Sequence, residues 1–497
     1  MSTSSEGTPP TPSSTEPGRS SVPAWLRLAR VRRGIAAGLV VLCTGGLVLA
    51  RTPAGSGPAG GPEVHVALAG GSNAASFAGP GVHGRFALSH AAVLASGQQR
   101  VFAEIDLQAD PAEHRAARAP LAMAVVLDTS GSMEGEKIEE AKRACVRLLR
   151  DMRDDDEIVF IRYASDTELV QPLARVGTVR EALVARIEHL QANGGTNIPP
   201  ALAQAVRALG DAGKGRVRRV VLASDGLDST RALAEEHART SAATGVTVSS
   251  MGIGLDFDEG YMGGVAKAGH GNFGFVKDAA TLATFLHREL EETATTTVEG
   301  ATVRIRLPEG VRFVQAMGAD ARSIGGNEVE LSLGSLFAGD ERRVIVELSA
   351  SLPAGRPAGF EGSAAWTSVA GDTATARFAG VTLTGTSDPL AAEEGRDGAV
   401  LANATSVLAS IRQIEAAEAY TRGDNARAQA LINDNVRDLK AAATAAPAAM
   451  APRIAAQWRD VQADQAAFAA PPSSDKGRSA AKASAAKNLY NSDRFGF

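Results

Sequence analysis

Residues 121–133 read LAMAVVLDTSGSM. The segment opens on a short apolar run that ends at Leu127 and is bounded by turn-forming residues. That is the pattern of a strand buried on both faces. The second half is a turn carrying Asp128, Ser130 and Ser132 at alternate positions. From Glu136 to Arg150 the residues Ile138, Ala141, Cys145, Leu148 and Leu149 recur with helical spacing. Asp128 therefore stands where a buried strand gives way to a helix. In open α/β sheets, ligands bind in the crevice beyond the carboxyl ends of the strands.

One carboxylate and two hydroxyls on a single loop are hard oxygen donors, suited to Mg²⁺ or Mn²⁺ rather than to zinc or copper. Gly131 is expected to let the loop curl so that the hydroxyls turn inward. Two further stretches offer the rest of a coordination shell. NGGTNI at 193–198 supplies Thr196 on a glycine-rich loop, and ASDG at 223–226 supplies Asp225 at the end of the apolar run Val220 to Ala223. The competing account is that Ser130 and Ser132 cap the next helix while Asp128 and Asp225 bond to loop amides. Each piece alone favours that account. All three in order, each after a predicted strand, favour a metal site.

DTSGS, then GGT, then SDG, within alternating strands and helices, resembles the von Willebrand factor type A domain and, more narrowly, its metal-ion-dependent adhesion site. The resemblance spans residues 120–297 and fills every ligand position. It implies that the hydroxyls of Ser130, Ser132 and Thr196 touch a bound Mg²⁺ or Mn²⁺, while Asp128 and Asp225 act mostly through water. It also implies a protein partner whose acidic side chain completes the shell.

Within 120–297, strands are predicted at 121–127, 157–163, 217–223 and 246–252, with short ones at 168–170 and 273–276. Helices are predicted at 136–151, 178–191, 199–210, 229–243, 258–268 and 280–293. Strands alternating with helices make a doubly wound, mostly parallel sheet with right-handed crossovers.

On either side the pattern changes. Val101, Ala103, Ile105 and Leu107 alternate, as do Val303, Ile305 and Leu307, and then Val344, Val346 and Leu348. Segments 63–110 and 300–384 therefore read as antiparallel β, and they are expected to pair as one sandwich with the α/β domain inserted between them. Residues 389–470 read as a three-helix appendage, and 471–497 as a disordered tail. The fold class is α/β, flanked by an antiparallel β-sandwich and followed by helices.

At the other end, residues 1–33 read as a disordered tail and 51–62 as a Gly/Pro linker. Between them, 34–50 is an uncharged apolar run preceded by Arg27, Arg30, Arg32 and Arg33. It is expected to be a transmembrane anchor with the N-terminus inside. The alternative is a signal segment cleaved near Ala50, with secretion of the rest. The resemblance extends to bacterial membrane-anchored proteins with this central domain, which puts the main domains in the periplasm or at the cell surface.

A net charge of −5 gives no basic field for nucleic acid. The two cysteines, Cys43 and Cys145, are not expected to pair. There is no HExxH and no phosphate-binding glycine loop, and neither serine has a histidine partner within its motif, so no enzymatic activity is expected. The expected function is cation-dependent protein–protein binding at the cell envelope. The alternative is an accessory subunit of an AAA-type ATPase or an envelope assembly complex.

Overall fold

Strand Leu121–Asp128 is buried over all eight of its residues. It lies inside a six-stranded sheet with the spatial order 270–276, 246–253, 217–224, 121–128, 157–163, 167–175. Only the edge strand Thr167–Arg175 runs antiparallel to its neighbour. The side chains of Leu121–Asp128 alternate between two cores. Leu121, Met123, Val125 and Leu127 face helices Glu136–Asp151, Val176–Glu188 and Ala279–Ala294. Ala122, Ala124 and Val126 face helices Ile198–Gly210, Arg231–Ala243 and Glu259–Ala268. A strand that must be apolar on both faces is what the continuous run encodes.

The computed structural model describes residues 64–65, 72–111, 120–213, 215–225, 228–277 and 279–493. The expected tail 1–33, apolar segment 34–50, linker 51–62 and last residues 494–497 lie outside them. Among the described residues, no helix is long and apolar enough to cross a membrane.

The α/β unit is set into a β-sandwich. One sheet orders its strands 311–317, 341–350, 99–109, 82–88, 74–79, and the other 64–65, 373–386, 357–368, 296–306, 328–337, 320–325, with 92–94 also on 373–386. Strand Gln99–Ala109 precedes the inserted unit and Glu341–Ala350 follows it, yet they pair in unbroken antiparallel register from Gln99↔Ala350 to Gln108↔Glu341. Val101, Ala103, Ile105 and Leu107 point into the sandwich core with Val303, Ile305, Val344 and Val346. Phe86 stacks on Phe378 of the opposite sheet at 4.9 Å between ring centroids.

The outer face of the five-stranded sheet is covered as well. Phe102 and Ile345 pack against Val400, Ala404 and Val407 of helix Gly398–Thr421. That helix ends at Gly423 (φ +82°), whose amide bonds the Tyr420 carbonyl, and Asp424 then caps helix Asn425–Ala445 by accepting from the Arg427 amide. Helix Ala451–Ala467 follows.

Two elements correct the expected three-helix appendage. Helix Pro389–Glu394 precedes it, and helix Asp475–Asp493 occupies the stretch expected to be disordered. The polar composition of that stretch gives no apolar stripe. It folds because small residues such as Ala481 and Ala485 fit against the preceding helices, and because Ala486 and Leu489 reach the α/β core. Tertiary packing outweighs composition here.

Candidate metal site

Asp128, Ser130, Ser132 and Asp225 form one hydrogen-bonded chain. Asp128 ends its strand and is fully buried. Its Oδ1 accepts from the Ser130 amide at 2.8 Å, and its Oδ2 accepts from the Ser224 hydroxyl at 2.7 Å. The Tyr163 hydroxyl lies 3.4 Å from the same Oδ2 and 3.2 Å from the Ala223 carbonyl. The Oγ atoms of Ser130 and Ser132 are 3.0 Å apart, and Ser132 Oγ donates to Asp225 Oδ1 at 2.8 Å. Sheet register explains the convergence, since Leu127 pairs with Ala223 and Asp128 with Tyr163 on adjacent parallel strands. Strand 121–128 is also where the chain changes direction across the sheet, the position at which such sheets bind ligands.

The carboxylates form the floor, both fully buried, while Ser132 is exposed at the rim. Burial pushes the Asp128 carboxyl above its ordinary value, opposed by the hydrogen bonds from Ser130 and Ser224 that favour the charged form.

The Thr196 loop is laid beside this chain by its backbone. The Gly131 amide donates to the Gly194 carbonyl at 2.9 Å, and the Asn193 amide to the Thr129 carbonyl at 2.8 Å. Ser165 Oγ accepts from the Gly195 amide at 2.7 Å, and Asp228 accepts from the Ile198 amide at 2.8 Å, which fixes the start of the following helix. Thr196 itself is half-buried, and among the described residues its side chain makes none of the hydrogen bonds that join the other four residues.

A cation already stands at the site. The Lys137 ammonium contacts Asp225 Oδ2, donates to the Ser132 carbonyl at 3.2 Å and lies 3.6 Å from Asp256 Oδ2. Lys137 belongs to the first turn of helix Glu136–Asp151. The donors here are hydroxyl, carboxylate and carbonyl oxygens, and the one charged group they attract is positive. That chemistry suits a hard divalent ion. Among the described residues no cluster of three or more His, Cys, Asp or Glu side chains has metal-ligand geometry, so a metal here relies on the hydroxyls.

Two local expectations change. Gly131 is not in the left-handed region. Its amide donates to the Gly194 carbonyl, and a Cβ there would meet that oxygen at 3.4 Å, an ordinary contact, so neither a curl nor crowding requires a glycine at this position. The left-handed glycine is Gly135 (φ +84°), which opens the helix. The helix-capping account also fails for the serines, because Ser130 makes no side-chain cap bond at the short 3-10 turn it precedes, and the N-cap of helix Glu136–Asp151 is Gly135 rather than a serine. Part of it holds for Asp128, which does bond a loop amide. Lys137, Tyr163 and Ser224 were not singled out from sequence, and Asp256, in LDFDEG, stood out only as missing the spacing of a calcium-binding loop. Ser224 lies inside ASDG and Tyr163 at the end of a predicted strand, so position alone pointed to both.

Residues 123–227 match the family model of the von Willebrand factor type A domain. The uncharacterized protein YfbK of Escherichia coli (strain K12) is 26% identical over 268 residues, which cover 51% of this chain and 45% of that protein. The chain spans about half the length of the curated relatives it matches. Among solved structures, the von Willebrand factor type A protein from Catenulispora acidiphila superposes with a TM-score of 0.62 at 20% identity, over 75% of this chain and 88% of that one. The ArnB paralog VWA2 from Sulfolobus acidocaldarius does so with a TM-score of 0.55 at 13% identity, over 84% and 98%. At such identities the likeness speaks for the fold. With the three loops gathered at the switch point of a six-stranded, mostly parallel sheet, this chain carries a von Willebrand factor type A domain.

Proposed function

We propose that this domain is a divalent-cation-dependent protein-binding module. The hydroxyls of Ser130, Ser132 and Thr196 would hold Mg²⁺ or Mn²⁺, with Asp128 and Asp225 in supporting roles. When bound, the ion supplies an open coordination position for an acidic side chain of a protein partner. The observation that supports this best is the Lys137 ammonium seated on Asp225 at the mouth of the hydroxyl chain, because it marks a cradle that attracts positive charge. Asp128, bonded to the Ser130 amide, orders the loop that carries both serines. The hydroxyls of Ser130 and Ser132 are engaged with each other and with Asp225, which supports a ligand role for them.

The setting we propose is the cell envelope, with residues 34–50 as the anchor and the folded domains on the extracytoplasmic side. This rests on the four arginines at 27, 30, 32 and 33 before residue 34, against the single Arg51 in the nearly uncharged linker that follows residue 50. A second reading, an accessory subunit of an AAA-type ATPase or an envelope assembly complex, draws on the helices from residue 398 onward. They pack on the sandwich and on the α/β core, as a docking arm would.

The test is affinity capture from envelope extract by wild type and Thr196→Ala, in Mg²⁺ and in chelator. The module reading expects one partner retained by wild type in Mg²⁺ only, and lost with Thr196→Ala. Equal recovery in chelator overturns it. Recovery that is insensitive to chelator but lost on deleting 398–493 favours the assembly reading.

A further inference from the structure

Lys137 reaches Asp225 along a prepared path. Its stem lies over Gly254 (φ +74°), where a Cβ would come within 3.1 Å of the lysine Cε. Its ammonium faces two carboxylates of different character. Asp225 is fully buried, whereas the side chain of Asp256, 3.6 Å away, is 58% exposed. Asp256 is held from its other side by Arg478 of helix Asp475–Asp493 at 2.7 Å. The same helix grips the adjacent loop through Lys482, whose Nζ donates to the Phe257 carbonyl at 2.7 Å, pairs with Glu259 at 3.2 Å and lies 4.0 Å above the Phe257 ring.

A divalent ion held beside Ser132 and an ammonium in contact with the Asp225 bonded to that serine are like charges competing for one carboxylate. We infer that Lys137 is a tethered counter-cation that sets the metal affinity of the site. It neutralises Asp225 when no ion is bound, and on ion entry it moves to Asp256. Asp256 is the receiver because it is already within reach of the ammonium, on the solvent side. It is shared with Arg478, so the transfer weakens one anchor of the last described helix. Ion binding and docking of that helix are therefore antagonistic. This inference rests on the metal-binding reading above.

The test is calorimetric titration of the full chain with MgCl₂ and MnCl₂, with thermal unfolding as a check on folding. Lys137→Met keeps the stem over Gly254 and removes the charge, so it is expected to bind the ion at least tenfold tighter. Lys137→Arg, which keeps the charge, should stay within about threefold of wild type. Lys142→Met, on the same helix but paired with Glu139, serves as the control for charge at large and should change affinity less than twofold. Asp256→Asn removes the receiver and should weaken binding severalfold in the wild-type background, with no effect beside Lys137→Met. Ion should also speed proteolysis of helix 475–493 in wild type but not in Lys137→Met. Binding that Lys137→Met leaves unaltered overturns the inference alone. An Asp256→Asn effect that persists without Lys137 overturns the transfer. Absence of binding in wild type and Lys137→Met together overturns the metal reading and this inference with it.

Discussion

Ser132 Oγ donates to Asp225 Oδ1 at 2.8 Å across 93 residues of sequence. The bond exists because the two strands that deliver these residues lie side by side and in register, so their ends meet at one edge of the sheet. It ties the loop bearing both serines to a carboxylate that nothing local to that loop supplies.

Asp128→Ala leaves the Ser130 amide without its acceptor in a fully buried place and removes one partner of the Ser224 hydroxyl. An orphaned buried donor costs about 1–3 kcal/mol, so the variant is expected to lose about that much stability and the protection of the amides around residue 130. Asp128→Asn keeps an acceptor for the Ser130 amide and should cost about 1 kcal/mol, while still losing the charge that favours a cation. Urea unfolding followed by hydrogen exchange in the 128–134 loop checks both. Equal exchange in the three proteins would show that the loop is ordered by something else.

The Arg219–Glu289 pair, 2.6 Å apart, is almost fully buried, and Glu289 also accepts from Ser249 and, at 2.6 Å, from Asn272. It fastens helix Ala279–Ala294 to the sheet from its buried face. Glu289→Ala leaves the guanidinium with the more distant Glu292 carboxylate, 3.6 Å away, and should cost about 1.5–3 kcal/mol for the lost charged hydrogen bond, whereas replacing both partners by Met and Leu should cost less, because the desolvation of two charges disappears with them. A double-mutant cycle in urea measures the difference. If the double variant is as unstable as Glu289→Ala, the cost is packing rather than the lost charged bond.

Much of this was legible in the sequence, and the reasons differ by element. Helix Glu136–Asp151 carries a clear helical period and strand Glu157–Tyr163 is a short apolar run between polar residues, so their bounds could be read directly. Asp128, Ser130 and Ser132 share one turn, and Asp225 follows an apolar run, so their convergence needed only the parallel sheet. Lys137 could not be read, because the direction its side chain takes depends on Gly254 and on two carboxylates from other strands. Helix Asp475–Asp493 was invisible for the same reason. Its partners lie in the α/β domain and the preceding helices, and its own composition carries no stripe.

Glu104 lies on the outer face of its strand, under helix Gly398–Thr421, where Asn403 donates to it at 2.7 Å. Burial, then the neighbouring Asp106 carboxylate, push its carboxyl up to about 8, against the pull of Arg343. An acid whose folded value is raised binds its proton more tightly when folded. Its stability contribution is therefore complete below the ordinary glutamate range and is lost as pH rises through about 8. Wild type should lose stability between about pH 5 and 8 relative to Glu104→Gln, whose profile should be flatter across that window. Parallel profiles for the two proteins would show that Glu104 is ionised in the fold throughout.

Lys482 is the most buried cation on helix Asp475–Asp493, with 3% of its side chain exposed. Lys482→Ala leaves the Phe257 carbonyl and the Glu259 carboxylate without this partner, and it strips the cation from the Phe257 ring. A charged hydrogen bond and a desolvated ring contact together suggest a loss of about 2–4 kcal/mol from the hold of this helix, which a short helix cannot recover alone in water. The expected outcome is local: faster protease cleavage in the 468–474 connection and fewer helical residues by circular dichroism, with the Arg219–Glu289 region still protected from exchange. Lys482→Met keeps the stem over Phe257 and should fall between the two. Cleavage at the wild-type rate in Lys482→Ala would mean that Ala486 and Leu489 hold the helix without it.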